Sequence, residues 1–312
     1  MGDGSLISVK RNRFTKKTFA LLLMVLPAVV LLFVFNYLPM YGIIVAFKDF
    51  EPYRGFIKSP WTSMHGFKHF VTFLTDETFW KVLKNTIVIS VSDIVFGFTA
   101  PILFALLANE ITNKHFKKTV QTISYLPHFL SYVVVGGIFT QILSPDGGIV
   151  NIILQNVFGV EPVYFLTRKE MFVPIAVIVD IWKSTGFSAI LYFATIAGID
   201  SSLYEAAQID GAGRLRQTIH VTIPGMIPII VLMFLLRLSG IFVVGFDRIY
   251  NLQNTMNYET SEVISTYVFH RGVEQSQYSL TTAVGLVQSL LGFILLLVGN
   301  KISSKYAKLG IY

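Results

Sequence analysis

Ser201-Ser-Leu-Tyr-Glu-Ala-Ala-Gln-Ile-Asp-Gly-Ala-Gly-Arg-Leu-Arg-Gln-Thr-Ile-His-Val-Thr-Ile-Pro224 is a polar stretch set between two long apolar runs. Serines ahead of a glutamate three residues on give the pattern of a capping box, with Ser202 as N-cap and Glu205 at the third helical position. The first helix is expected to be short, because Gly211 and Gly213 interrupt it and favour a sharp change of direction. Arg214 to Thr222 is expected to form a second short helix. Pro224 falls near the start of the next apolar run, where a missing N–H costs least. The pattern predicts a helix–turn–helix knob built largely from small residues, over positions 200–222.

The runs around it point to lipid. Of 312 residues 53% are hydrophobic and 14% charged, against roughly 25% charged in soluble domains. With no cysteine, disulfides, thiolate metal sites and cysteine nucleophiles are excluded. Apolar runs predict six membrane spans, near 19–47, 83–107, 120–143, 171–199, 223–246 and 280–299, hence an all-α membrane protein. The first run is too long and lacks small residues at its end for a cleaved leader, so it reads as a retained span. Ile149 to Phe158 is too short to cross and reads as an amphipathic surface helix. The segments 48–79 and 247–279 read as loops. The resulting division is a basic tail at 1–17, a first span and loop at 18–79, a membrane core at 80–300 and a second tail at 301–312.

Six spans put both termini on one side, together with the knob. That side carries thirteen Lys and Arg against five acids, a surplus of eight; the other carries ten against eleven. Lys/Arg bias sets orientation, so both termini and the knob are expected in the cytoplasm. The same bias accounts for the net charge of +7 without a nucleic-acid partner.

No phosphate-binding glycine loop, His-Glu-x-x-His pair or nucleophile elbow is present in the sequence, and the six histidines have no metal-ligand spacing. Neither catalysis nor a metal is expected of this chain. Four ionisable residues fall within spans: Asp93, Asp180, Lys183 and Arg237. Charge at bilayer depth is costly and faces the bundle or water. Asp180 and Lys183, three apart, share a helix face and form either a structural pair or part of a solute pathway. Arg237 is expected to neutralise an acid on a neighbouring span, with direct contact to a solute as the alternative. Among the aromatics, Tyr192, Phe193, Phe242 and Phe246 are candidates for residues lining a pathway.

The knob also carries a resemblance. Glu205-Ala206-Ala207, then Gly211, then Val221, Ile223 and Pro224, with Asp210 and Ala212 completing Asp-Gly-Ala, resembles the ATPase-coupling motif of permease subunits in binding-protein-dependent ABC importers. Asn85-Thr86, Pro145-Asp-Gly-Gly-Ile-Val-Asn151 and Tyr278-Ser-Leu-Thr-Thr-Ala283 are similar to the oligosaccharide-importer permeases, near a polysaccharide-type subgroup. The resemblance covers most of the chain. It implies a maltose-importer-like type I fold and a cell-membrane complex of two related permeases with two copies of a cytosolic ATPase, which binds the ATP and Mg. It also implies an extracellular solute-binding protein that delivers a carbohydrate, and ATPase contacts through Glu205, Ala206, Ala207, Asp210, Gly211, Ala212 and Pro224. Asp180, Lys183, Tyr192, Phe242 and Phe246 are the pathway candidates. A permease for another solute, a secondary transporter and a membrane scaffold remain alternatives.

Overall fold

The computed structural model describes residues 16–306. The basic residues Lys10, Arg11, Arg13 and Lys308 of the two expected tails lie outside that range. Among the described residues the chain is helical with no strand; a lone antiparallel bridge joins Lys48 to Trp61. The main helices are α1 (Thr18–Phe47), α2 (Lys68–Thr75), α3 (Glu77–Asn109), α4 (Lys114–Phe129), α5 (Tyr132–Ile142) and α6 (Ile149–Phe158). They continue with α7 (Lys169–Ala197), α8 (Ser201–Ile209), α9 (Arg214–Ser239), α10 (Phe246–Leu252), α11 (Ile264–Phe269) and α12 (Tyr278–Tyr306). Among the described residues, α1, α3, α7, α9 and α12 are long and apolar enough to cross a membrane, and the α4–α5 pair makes a sixth candidate.

Proline explains where these helices loosen. Wide turns occur at Phe33–Tyr37, Asp93–Gly97 and Thr218–Thr222, and each contains the residue four positions before Pro39, Pro101 or Pro224. A proline cannot donate to that carbonyl and its ring crowds it. Opening the turn by one residue relieves the clash while keeping the helix continuous; Phe98 N–H, for instance, reaches back to Asp93 O at 2.8 Å.

Four expectations are corrected. The third span is not one rod: α4 and α5 meet at 104°, because Pro127 tightens the end of α4 and Ser131 caps a new helix by accepting the Val134 N–H. The second knob helix does not stop at Thr222 but runs unbroken into the fifth span as α9, the wide turn having absorbed Pro224. That span ends at Ser239 and not at Phe246. The polar segment 247–279 is not a plain loop: it packs into the bundle through α10 and α11.

Burial of that segment is possible because many of its polar groups are matched, the Ser261 hydroxyl being an exception with no partner among the described residues. Asn257, Ser261 and Thr266 are fully buried. The Asn257 amide donates to Leu166 O and Leu252 O, the Asn85 amide to Glu259 O and Glu262 O, and Ile264 N–H to the Thr86 hydroxyl. Unmatched, each of these groups would carry a desolvation penalty of about 1–3 kcal/mol. The surface helix α6 forms as expected. Its Asn151 side chain ties the preceding turn to Val163 through both its amide and its oxygen.

Apolar packing holds α3, α5, α7 and α10 together around Ile89, Val135, Phe172 and Ile249. A second cluster joins the end of α1 to α2, α3, α11 and α12 through Ala46, Phe73, Val82, Tyr267 and Val284. Gly186 of α7 lies so close to the Ser124 backbone of α4 that any Cβ there would collide with it; small residues permit such approach where helices pack in lipid. Of α1, by contrast, none of the most apolar window is buried.

Candidate functional site

The knob is the first of two sites. Asp200, not Ser202, is the N-cap of α8: its Oδ1 accepts the Ser202 N–H at 2.9 Å. Glu205 therefore sits beyond the first turn and caps nothing. Asp200 takes the role because it is the last extended residue before the helix, and its carboxylate also meets the positive helix end. The Ser202 N–H holds the Asp200 carboxyl below the usual carboxylate range. At the far end Gly211 has φ +76°. Its N–H bonds Gln208 O at 3.0 Å while Ala212 N–H bonds Ala207 O at 2.8 Å, the two bonds of a Schellman stop.

The knob is braced to its surroundings. Tyr204 and Thr222 hydroxyls meet at 2.9 Å, and the Gln217 amide bonds Ala212 O at 2.8 Å. Thr218 bonds Glu110, which also pairs with Arg214 at 4.0 Å, fastening the start of α9 to the residue after α3. Glu205, Ala206, Asp210, Gly211 and Pro224 are exposed, and Ala207 and Ala212 half-buried. Between them stand Ile209, 87% exposed, and Leu215, 73% exposed. Both are large aliphatic side chains standing on an otherwise polar knob.

The second site is a cavity of about 910 Å³ bounded by α3, α4, α5, α7, α9 and α10. Four charged side chains meet on its wall. Arg248 of α10, 3% exposed, holds Asp93 of α3 in a two-pronged pair, Nη2 to Oδ2 at 2.7 Å and Nη1 to Oδ1 at 3.0 Å. Asp180 of α7 accepts the Tyr132 hydroxyl at 2.9 Å and lies 3.5 Å from Arg248. Arg237, at the end of α9, approaches both acids at 3.6 and 3.7 Å. It thus stands against acids of neighbouring helices, as its position within an apolar run predicts.

The candidate pathway residues divide. Asp180 and Tyr192 line the cavity. Asp180 and Lys183 do not pair: Lys183 turns to His128 O at 2.6 Å and lies over the Tyr132 ring. The bend between α4 and α5 lies beside His128, whose carbonyl accepts the buried ammonium. Phe242 lies off the cavity, packed against the second apolar cluster. Phe246 stacks on Tyr250 at 5.0 Å and touches Phe269. Arg248, the most buried of the four charges, was hidden in a stretch polar enough to read as a loop. Its one signal is the sequence Phe246-Asp-Arg-Ile-Tyr-Asn-Leu252, which sets Arg248, Ile249 and Leu252 on one helical face.

Comparisons agree with this architecture. Residues 97–308 match the model of the family described as binding-protein-dependent transport system inner membrane component. The chain is similar to the polygalacturonan/rhamnogalacturonan transport system permease protein YteP of Bacillus subtilis (strain 168), 41% identical over 97% of this chain and 94% of that one. Protein LplB of the same organism is 37% identical over 100% of this chain and 95% of its own length. Among solved structures, a chain of a bacterial ABC transporter involved in import of the acidic polysaccharide alginate is 40% identical with a TM-score of 0.85, over 93% of this chain and 97% of that one. A chain of the bacterial alginate ABC transporter in complex with alginate pentasaccharide-bound periplasmic protein is 39% identical with a TM-score of 0.86, over 95% and 98%. The chain belongs to the family of inner-membrane components of binding-protein-dependent transport systems.

Proposed function

We infer that this chain is one permease subunit of an ATP-driven importer, taking up oligosaccharides or polysaccharide fragments delivered by an extracellular solute-binding protein. Its partners are a second, related permease and two copies of a separate ATPase, which bind the ATP and Mg. The observation that carries the reading is the knob: a capped, braced helix pair whose Ile209 and Leu215 stand exposed with Glu205 beside them. Such a surface fits a groove on a partner, and the chain supplies no nucleotide-binding loop of its own. Both termini and the knob face the cytoplasm. Withdrawing the buried Arg248 from the external count deepens the charge asymmetry that supports this orientation.

In this reading, ATP closes the ATPase pair, the knob follows, and the motion passes along α9 to the cavity. Asp180 and Tyr192 meet the passing solute, whereas Lys183 and Phe246 act from behind the wall. Co-expression with a candidate ATPase and second permease tests the assignment. A stable complex with ATP-dependent uptake of an oligosaccharide is expected. Uptake by the isolated chain on an ion gradient would instead make it a secondary transporter.

A further inference from the structure

We propose that Arg237 is the residue by which this permease recognises carboxylates, and hence that its solute is an acidic, uronate-bearing oligosaccharide. The proposal rests on the importer reading and deepens it.

The two arginines on the cavity wall differ in kind. Arg248 is sealed, at 3% side-chain exposure, and spends two donors on Asp93. Arg237 is 45% exposed, lines the cavity, and lies 3.6 and 3.7 Å from the nearest carboxylate oxygens. Those separations exceed hydrogen-bond reach, and among the described residues Arg237 makes no side-chain hydrogen bond. A guanidinium has five donors in a planar fork. Here the fork is held near the wall by charge alone.

Neither acid depends on it. Both oxygens of Asp93 are taken by Arg248. Asp180 keeps the Tyr132 hydroxyl at 2.9 Å, the Ser184 hydroxyl at 3.4 Å and Arg248 at 3.5 Å when Arg237 is left out. Arg237 can therefore turn to a ligand without stranding a buried charge. A carboxylate presents two oxygens at the spacing of the fork, a match that a sugar hydroxyl lacks. The cavity around it supplies Phe98, Phe187 and Leu236, apolar faces against which a pyranose ring can lie.

Charge also sets the strength. Asp93, Asp180 and Arg248 together carry one net negative charge, which Arg237 neutralises. A carboxylate that captures Arg237 leaves that negative charge close by, drawing the arginine back. The hold is then firm enough to select an anion and weak enough to release it, as passage requires.

The test uses the whole complex in lipid nanodiscs without the binding protein, so that delivery does not decide the outcome. The probes are trigalacturonate and its carboxyl-reduced counterpart, galactotriose. Arg237→Gln is expected to weaken trigalacturonate binding tenfold or more, leaving galactotriose within about twofold. Arg237→Lys, which keeps the charge and serves should the glutamine variant fail to assemble, is expected to lose part of the acidic preference. Equal weakening of both probes would make Arg237 a bundle residue and overturn the proposal, as would no change in either. A wild-type complex that binds galactotriose but not trigalacturonate in nanodiscs would overturn the proposal and leave the importer reading standing. A complex that binds no oligosaccharide there, and imports none in proteoliposomes supplied with the binding protein and ATP, would overturn both.

Discussion

The Arg248 guanidinium and the Asp93 carboxylate meet with paired contacts of 2.7 and 3.0 Å although 155 positions separate them in sequence. One belongs to a short helix in a polar segment, the other to the wide turn of a membrane-length helix. Removing either partner leaves a buried charge uncompensated, at a cost of about 3–5 kcal/mol. Asp93→Asn and Arg248→Met are each expected to lower the yield of assembled protein severely. The double variant is expected to recover part of it, and yields equal to the worse single variant would show that the two do not act as a pair.

A second prediction concerns Gly211. With φ +76° and nothing within 4 Å of a would-be Cβ, substitution there strains the backbone and meets no steric obstacle. The penalty is about 1–2 kcal/mol. Gly211→Val is expected to leave membrane insertion intact and reduce retention of an ATPase on the complex several-fold, with Gly211→Asn milder because asparagine tolerates that conformation. Wild-type retention by the valine variant would remove the knob from the contact.

Orientation can be read by thiol labelling, since the chain has no cysteine of its own. Ile209→Cys and Met256→Cys place thiols at positions 87% and 69% exposed. The first is expected to react only with reagent on the cytoplasmic side and the second only from outside. Labelling of both from one side would contradict six crossings between the termini.

Acid should loosen the knob. The Ser202 N–H lowers the folded-state pKa of Asp200, so the cap's contribution is complete above the unfolded value of about 3.9 and is lost as pH falls below it. Protection factors over 201–209, which correct for the fall of intrinsic amide exchange with pH, are expected to drop on acidification through that range. In Asp200→Asn, which still caps but does not titrate, that drop is expected to disappear. A pH response surviving in the asparagine variant would place its origin elsewhere.

Spans and knob were legible because long apolar runs and a Gly–Pro spacing are local signals. The Asp200 cap was missed by two residues, since aspartate and serine are both good caps and composition cannot choose between them. Arg248 and its segment were misread for a deeper reason. Asn257, Glu262 and Thr266 are polar, and their partners (Leu166 O, Asn85, Val263) come from distances or geometries that a sequence window does not contain. Burial of polar chain is decided by whether such partners arrive. The same holds for Lys183, whose choice of His128 O over Asp180 follows from a 104° bend between two other helices.

The unbroken course of α9 turns the protein into a lever. Its 26 residues make a rod of about 39 Å at 1.5 Å per residue, with Leu215 at one end and Arg237 at the other. Pivoting the rod by about 5° about its knob end swings the cavity end through roughly 3 Å, the width of a water molecule. That travel is comparable to the 3.6 Å now separating Arg237 from Asp93. A displacement small enough to be borne by one interface is thus large enough, at the far end, to change which groups touch.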